Sequence, residues 1–214
     1  MIKKIIFDVD DTLIDWKKEY VQMYIGGALD FFKIKHSPDL CEEIEKKIME
    51  YGKQTKKFCR AELTQYLNEH MNLNLPSNFM NVALDIVTNC VPEKLDNDDV
   101  ETLKYLSCKY ELVVLTNWFE IPQTIRLDKL GILKYFTHIY GSDDVVAKPY
   151  AGSFKTAMGT CQKHECIMVG DSIRADIMGA LSNGIQAVHM NKKCEPCVQG
   201  AIEIKKLSDL MKIF

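Results

Sequence analysis

The stretch Ile5-Ile6-Phe7-Asp8-Val9-Asp10-Asp11-Thr12-Leu13 runs from an apolar, β-prone segment directly into three carboxylates within four positions. Like charges this close repel, and burying them unpaired is costly or forces protonation. Asp is a common turn residue, so a solvated surface turn is the bland explanation. The preceding run Ile2 to Phe7, broken only by Lys3 and Lys4, instead reads as a buried central strand with the carboxylates at its C-terminal tip. In open α/β sheets that tip is where ligands bind. A hard divalent cation such as Mg²⁺ relieves the repulsion, so the stretch predicts a metal whose other ligands lie elsewhere in the chain.

Working outward, the next strongly strand-like run is Glu111 to Thr116, and the interval before it is almost purely helical in pattern. Trp16, Tyr20, Tyr24, Leu29 and Phe32 recur at helical spacing, followed by Leu40, Ile44, Ile48 and Tyr51, then Leu63, Leu67 and Met71, then Phe79, Val82, Ile86 and Cys90. Breaks are expected at His36-Ser37-Pro38, at Gly52 and at Leu75-Pro76-Ser77. This predicts a helical bundle over residues 15–90, inserted into a core formed by 1–14 and 91–214.

From Val91-Pro92 the pattern alternates. Asn97 or Asp98 can cap a helix, with capping-box spacing from Asp98 to Glu101. Pro122 opens a helix that Gly131 can close, and short strands are expected at 137–140, 166–169 and 186–189. Alternating helices and strands argue for a parallel, doubly wound α/β sheet.

Composition is that of a globular protein, with 47% hydrophobic and 27% charged residues. A formal net charge of −3 offers no electrostatic footprint for nucleic acid. The apolar run of MIKKIIFDVD ends too soon for a signal-peptide core, and no segment reaches membrane-spanning length. The expectation is a cytoplasmic protein, monomer or weak dimer, with no nucleic-acid or membrane partner and with scattered cysteines kept reduced. Cys194-Glu-Pro-Cys197 lacks a second ligand pair for zinc and reads as a surface loop.

Polar groups recur at the other predicted strand ends: Thr116-Asn117, Lys148-Pro149 in the connection after the third strand, and Gly170-Asp171-Ser172-Ile173-Arg174-Ala175-Asp176. A doubly wound sheet delivers all of them to one crevice. That inventory suits phosphoryl transfer on a small phosphomonoester. Asp8 can attack phosphorus as a carboxylate nucleophile. Mg²⁺ held by Asp8, a backbone carbonyl near Asp10 and Asp171 would draw a phosphate dianion toward it. Asp10 can protonate the leaving alkoxide and then deprotonate water. Thr116, with Asn117 beside it, and Lys148 can bind phosphate oxygens. Thr12 and Asn117 can equally serve by holding their turns.

With DVDDT at 8–12, LTN at 115–117, Lys148-Pro149 and GDSIRAD at 170–176 in this order, the chain resembles a haloacid dehalogenase superfamily hydrolase, phosphatase branch, with a C1-type helical cap. The resemblance implies the same roles for Asp8, Asp10, Thr116, Lys148 and Asp171, and adds Asp176 as a supporting or water-mediated metal ligand. It also implies that the helical insertion closes over the site and selects substrate; the motifs look most like the branch holding nucleotide 5′-monophosphatases and acylneuraminate-phosphate phosphatases, with sugar phosphates and phosphoglycolate also open. Asp10 argues against a dehalogenase, which needs no acid there. A phosphomutase and a catalytically silent binding relative are the remaining alternatives.

Overall fold

In a computed structural model covering residues 1–214, the chain divides into two compact units, Met1–Asp15 with Pro92–Phe214 and the intervening Trp16–Val91. The first unit carries a six-stranded, wholly parallel sheet in the order β3-β2-β1-β4-β5-β6. Its strands are β1 (Lys4–Phe7), β2 (Glu111–Leu115), β3 (His138–Tyr140), β4 (Cys166–Gly170), β5 (Gln186–Met190) and β6 (Ile202–Ile204). The chain builds outward from β1 to β2 and β3 on one side, then returns to lay β4, β5 and β6 on the other. The order therefore reverses beside β1, and the crevice for ligands opens there.

β1 and β4 are buried along their whole length, as parallel strands covered on both faces must be. The central layer packs Ile6, Val113, Leu115 and Met168 against Phe154, Ala157, Ile177 and Ala180 of the flanking helices. Lys4 is the exception within β1. Its aliphatic stem is buried while its ammonium donates to the Ala157 and Met158 carbonyls at 3.2 and 3.0 Å and meets Glu111 at 3.2 Å. Those carbonyls close the Ala151–Met158 helix, so the lysine caps its negative end. Phe7 stands level with Val114 on one side and Val169 on the other, which sets the residues following β1 beside those following β2 and β4.

Two details of this unit differ from expectation. The Asn97–Ser107 helix takes Asp96 as its N-cap, with no side-chain cap bond, and the Asp98–Glu101 capping box does not form. Glu101 instead pairs with Lys104 at 3.6 Å. The sixth strand has no counterpart in the sequence pattern: Ile202–Ile204 is a three-residue edge strand with two of its residues exposed, too short to show an alternation.

The Trp16–Val91 unit is helical throughout. Its first helix is α-helical at Glu19–Val21, π-wound over Gln22–Gly26 and α-helical again over Gly27–Phe31. Pro38–Thr55, Arg60–Met71 and Phe79–Val87 follow. Ser37 caps Pro38–Thr55 by accepting from the Leu40 N–H at 3.3 Å, with Pro38 at the first helical position. Cys41, Ile44, Ile48 and Tyr51 form its buried stripe. The break expected at Gly52 does not occur. The helix runs through it to Thr55 and ends at Lys56 in the left-handed conformation, φ 61°. Glycine stands at 52 because the Phe58 ring lies against it, where a Cβ would collide.

Candidate active site

The β1 strand ends where Asp8 donates its backbone N–H to the Val169 carbonyl at 2.9 Å, the last tie to β4. The chain then turns tightly. The Val9 carbonyl accepts from Thr12, Leu13 and Ile14, and Asp11 sits at φ 59°, a left-handed conformation that Asp tolerates better than most residues. Thr12 is held in this turn by its main chain, since its buried hydroxyl makes no hydrogen bond.

Asp8, Lys148, Asp171 and Asp176 come together at this sheet edge. The Lys148 ammonium lies 2.7 Å from Asp8 Oδ1 and 2.7 Å from Asp176 Oδ1. Asp176 is fully buried, accepts from the Ser172 N–H at 3.0 Å, and packs against Gly170, where any Cβ would strike its carboxylate. Only glycine at the end of β4 leaves room for that acid. Ser172 caps the following turn by accepting from the Ala175 N–H at 3.2 Å. The Asp171 carbonyl accepts from His189 Nε2 on β5 at 3.1 Å, which anchors the loop carrying the acid.

The electrostatics follow from this crowding. Burial raises the Asp8 carboxyl well above its ordinary value, Lys148 opposes the rise, and Asp176 and Asp171 add to it. Burial, then Asp176 and Asp11, push Asp171 up to about 6. Burial opposes the charge on Lys148, yet Asp176 and Asp8 hold its pKa above the ordinary lysine value. One oxygen from each of Asp8, Asp171 and Asp176 falls within 4.8 Å of the others. Three such carboxylates with one lysine among them keep an excess of negative charge, and an all-oxygen set this close fits a hard divalent cation such as Mg²⁺.

Thr116 follows β2, is buried, and is fixed through main-chain bonds to Tyr140 at 3.0 Å and to the Ser142 hydroxyl at 3.1 Å. The Asn117 side chain is committed elsewhere. Its Nδ2 donates to the Lys148 carbonyl at 2.9 Å and its Oδ1 accepts from the Lys148 N–H at 2.7 Å. This amide clamp sets the backbone from which the lysine reaches Asp8.

Asp10 faces a different set of partners. Arg126 Nη1 donates to its Oδ1 at 2.7 Å and Gln123 Nε2 to its Oδ2 at 2.7 Å. Both belong to the Glu120–Lys129 helix and both are fully buried. The apolar pattern of that helix hides them, because two of its apolar residues, Ile121 and Ile125, are exposed. The signal available was a Gln-x-x-Arg pair on the same face as Pro122 and Leu127.

Cys194 and Cys197 are exposed, and none of the eight cysteines forms a disulfide. No helix is long and apolar enough to cross a membrane.

The chain has relatives among known proteins. Residues 2–184 match the haloacid dehalogenase-like hydrolase family. A glyceraldehyde 3-phosphate phosphatase of Methanothermobacter thermautotrophicus is 26% identical over 216 residues, 95% of this chain and 92% of that protein. The pyrimidine 5′-nucleotidase YjjG of Escherichia coli is 30% identical over 96 residues, 43% of each chain. The magnesium-bound crystal structure of the putative hydrolase YfnB from Bacillus subtilis superposes with a TM-score of 0.74 at 21% identity, covering 99% of this chain and 98% of that one. The chain belongs to the haloacid dehalogenase-like hydrolase family.

Proposed function

We propose that the protein is a Mg²⁺-dependent phosphomonoester hydrolase that works through a phosphorylated Asp8. The observation that carries this reading is the juxtaposition of Asp8 with Lys148 at 2.7 Å and with Asp171 and Asp176 within 4.8 Å. That set offers a nucleophile, a fixed positive charge and the donors for a cation in one place. Mg²⁺ bound by Asp8, Asp171 and Asp176 would supply Lewis-acid charge that draws the phosphate dianion in and stabilises its transferring oxygens.

The remaining steps fall to the chain itself. An Asp8 oxygen forms the new bond to phosphorus as the bond to the leaving oxygen breaks. Asp10 delivers a proton to that oxygen, so an alcohol departs rather than an alkoxide. Asp10, now a carboxylate, takes a proton from the water that attacks phosphorus and frees Asp8. Lys148 and the Thr116 hydroxyl bind the phosphoryl oxygens. Asn117 serves the same purpose through the lysine backbone that it clamps.

Among substrates, a three-carbon sugar phosphate is favoured over a nucleotide. The glyceraldehyde 3-phosphate phosphatase match spans 95% of the chain, inserted helices included, whereas the pyrimidine nucleotidase match spans 43%. Eight cysteines outside disulfides suit a reducing, cytoplasmic compartment. The test is phosphate release from a panel holding glyceraldehyde 3-phosphate, other sugar phosphates and pyrimidine 5′-monophosphates, with Mg²⁺ and with a chelator. The expected result is chelator-sensitive release, strongest with the triose phosphate. Release indifferent to chelation contradicts the metal, and a preference for nucleotides reverses the substrate assignment.

A further inference from the structure

Gln123 and Arg126 are polar, wholly buried, and have no part in the chemistry so far described, yet together they account for both oxygens of Asp10. We infer that Gln123 and Arg126 are positioning residues that hold the proton-transfer carboxylate of Asp10 and the phosphate-binding hydroxyl of Thr116 in one fixed relation. The inference rests on the role proposed above for Asp10.

The geometry leaves little freedom. Arg126 has only donors, and its Nη1 gives hydrogen bonds to Gln123 Oε1 at 2.6 Å and to Asp10 Oδ1 at 2.7 Å. Because the amide oxygen of Gln123 must face the guanidinium, its NH₂ must face the other way. That NH₂ donates to Asp10 Oδ2 at 2.7 Å and to Thr116 Oγ1 at 3.2 Å. Arginine thus sets the sense of the amide, and the amide sets two groups of the site. Two consequences follow. Asp10 is held to one side-chain rotamer by a donor on each oxygen, one of them charge-assisted. The Thr116 hydroxyl, already accepting from Gln123, has its own hydrogen left to donate to a phosphoryl oxygen.

Proton transfer needs hydrogen-bond reach in the transition state, so part of what an acid contributes depends on how it is held. The guanidinium cannot itself take or give a proton at working pH, so its contribution is placement. It is also buried at no exposure, so the pair is built into the helix rather than recruited from the surface.

The test compares Asp10→Asn, Gln123→Leu and Arg126→Lys on two substrates in Mg²⁺, an alkyl phosphomonoester and p-nitrophenyl phosphate, with thermal melts alongside. p-Nitrophenolate leaves without a proton, so phosphorylation of Asp8 by it bypasses Asp10 while the water step does not. Gln123→Leu is expected to lower kcat on the alkyl ester by about 10- to 100-fold, part of the usual general-acid effect, with KM little changed. With p-nitrophenyl phosphate it should give a rapid burst of one p-nitrophenolate per enzyme before slow turnover. Arg126→Lys, which keeps a buried cation but loses the planar fork, should show the same split more weakly. A purely structural role predicts no burst and a fall that follows the melting temperature. That result in Gln123→Leu, while Asp10→Asn still discriminates between leaving groups, overturns the inference and leaves Asp10 in its role. If Asp10→Asn itself shows no discrimination, the role of Asp10 is wrong and the inference falls with it. Should Arg126→Lys fail to fold, Gln123→Leu decides alone.

Discussion

Lys148 Nζ stands 2.7 Å from Asp8 Oδ1, with both side chains almost wholly out of solvent. The ion pair places a positive charge against the carboxylate proposed as the nucleophile, and the same ammonium reaches Asp176. Removing one member of such a cluster leaves the other charges buried and uncompensated, a loss of about 3–5 kcal/mol for pairs of this kind. Lys148→Met is therefore expected to be strongly destabilised in the absence of metal and inactive in its presence. Calorimetric melts should also show Mg²⁺ raising its melting temperature more than that of the parent, since the cation then meets a larger uncompensated charge. A variant melting like the parent without metal would show that the pair contributes nothing.

Gly170 and Asp176 make a second prediction. A methyl group at 170 has nowhere to go except into the Asp176 carboxylate. Gly170→Ala should displace that acid and raise the Mg²⁺ concentration needed for half-maximal turnover, with the KM for a phosphomonoester at saturating Mg²⁺ less affected. Titrating activity against Mg²⁺ measures this directly. An unchanged metal requirement would mean that Asp176 can move without consequence for the cation.

How much of this could be read in advance depended on the range over which each pattern acts. The apolar runs of β1, β2 and β4, and the polar residues directly after them, are contiguous in the chain, so Asp8, Thr116 and Asp171 were legible at strand ends. β6 was not, because an edge strand with exposed Ile202 and Glu203 carries no burial pattern. Gly52 misled because a helix-breaking residue and a close-packing residue look alike until Phe58 is seen across from it. Gln123 and Arg126 leave only a faint trace, for a related reason. Polar residues on the inner face of a helix make sense only with their partner, and Asp10 lies 113 and 116 positions away.

Glu45, in the Pro38–Thr55 helix, gives the pH dependence. Burial raises its carboxyl from the ordinary 4.5 to about 7, the Glu42 charge adds to the rise, and hydrogen bonds from Tyr24 and Trp16 partly offset it. The folded state thus binds a proton more tightly than the unfolded chain. Its contribution is fully present below pH 4.5 and is lost as pH rises from there through about 7. Glu45→Gln keeps an acceptor for Tyr24 without the charge. It should melt higher than the parent at pH 8 and show little difference near pH 4.5. A gap independent of pH would assign the effect to something other than the proton.

The most direct measurement is to quench turnover of the best phosphomonoester of the panel in acid, digest the protein, and locate the phosphoryl group by mass. The mechanism predicts a hydroxylamine-labile phosphoryl group on the peptide bearing Asp8, lost in Asp8→Asn, which should keep its fold and have no measurable turnover. Near-normal turnover by a folded Asp8→Asn, or a phosphoryl group on another residue, would contradict it.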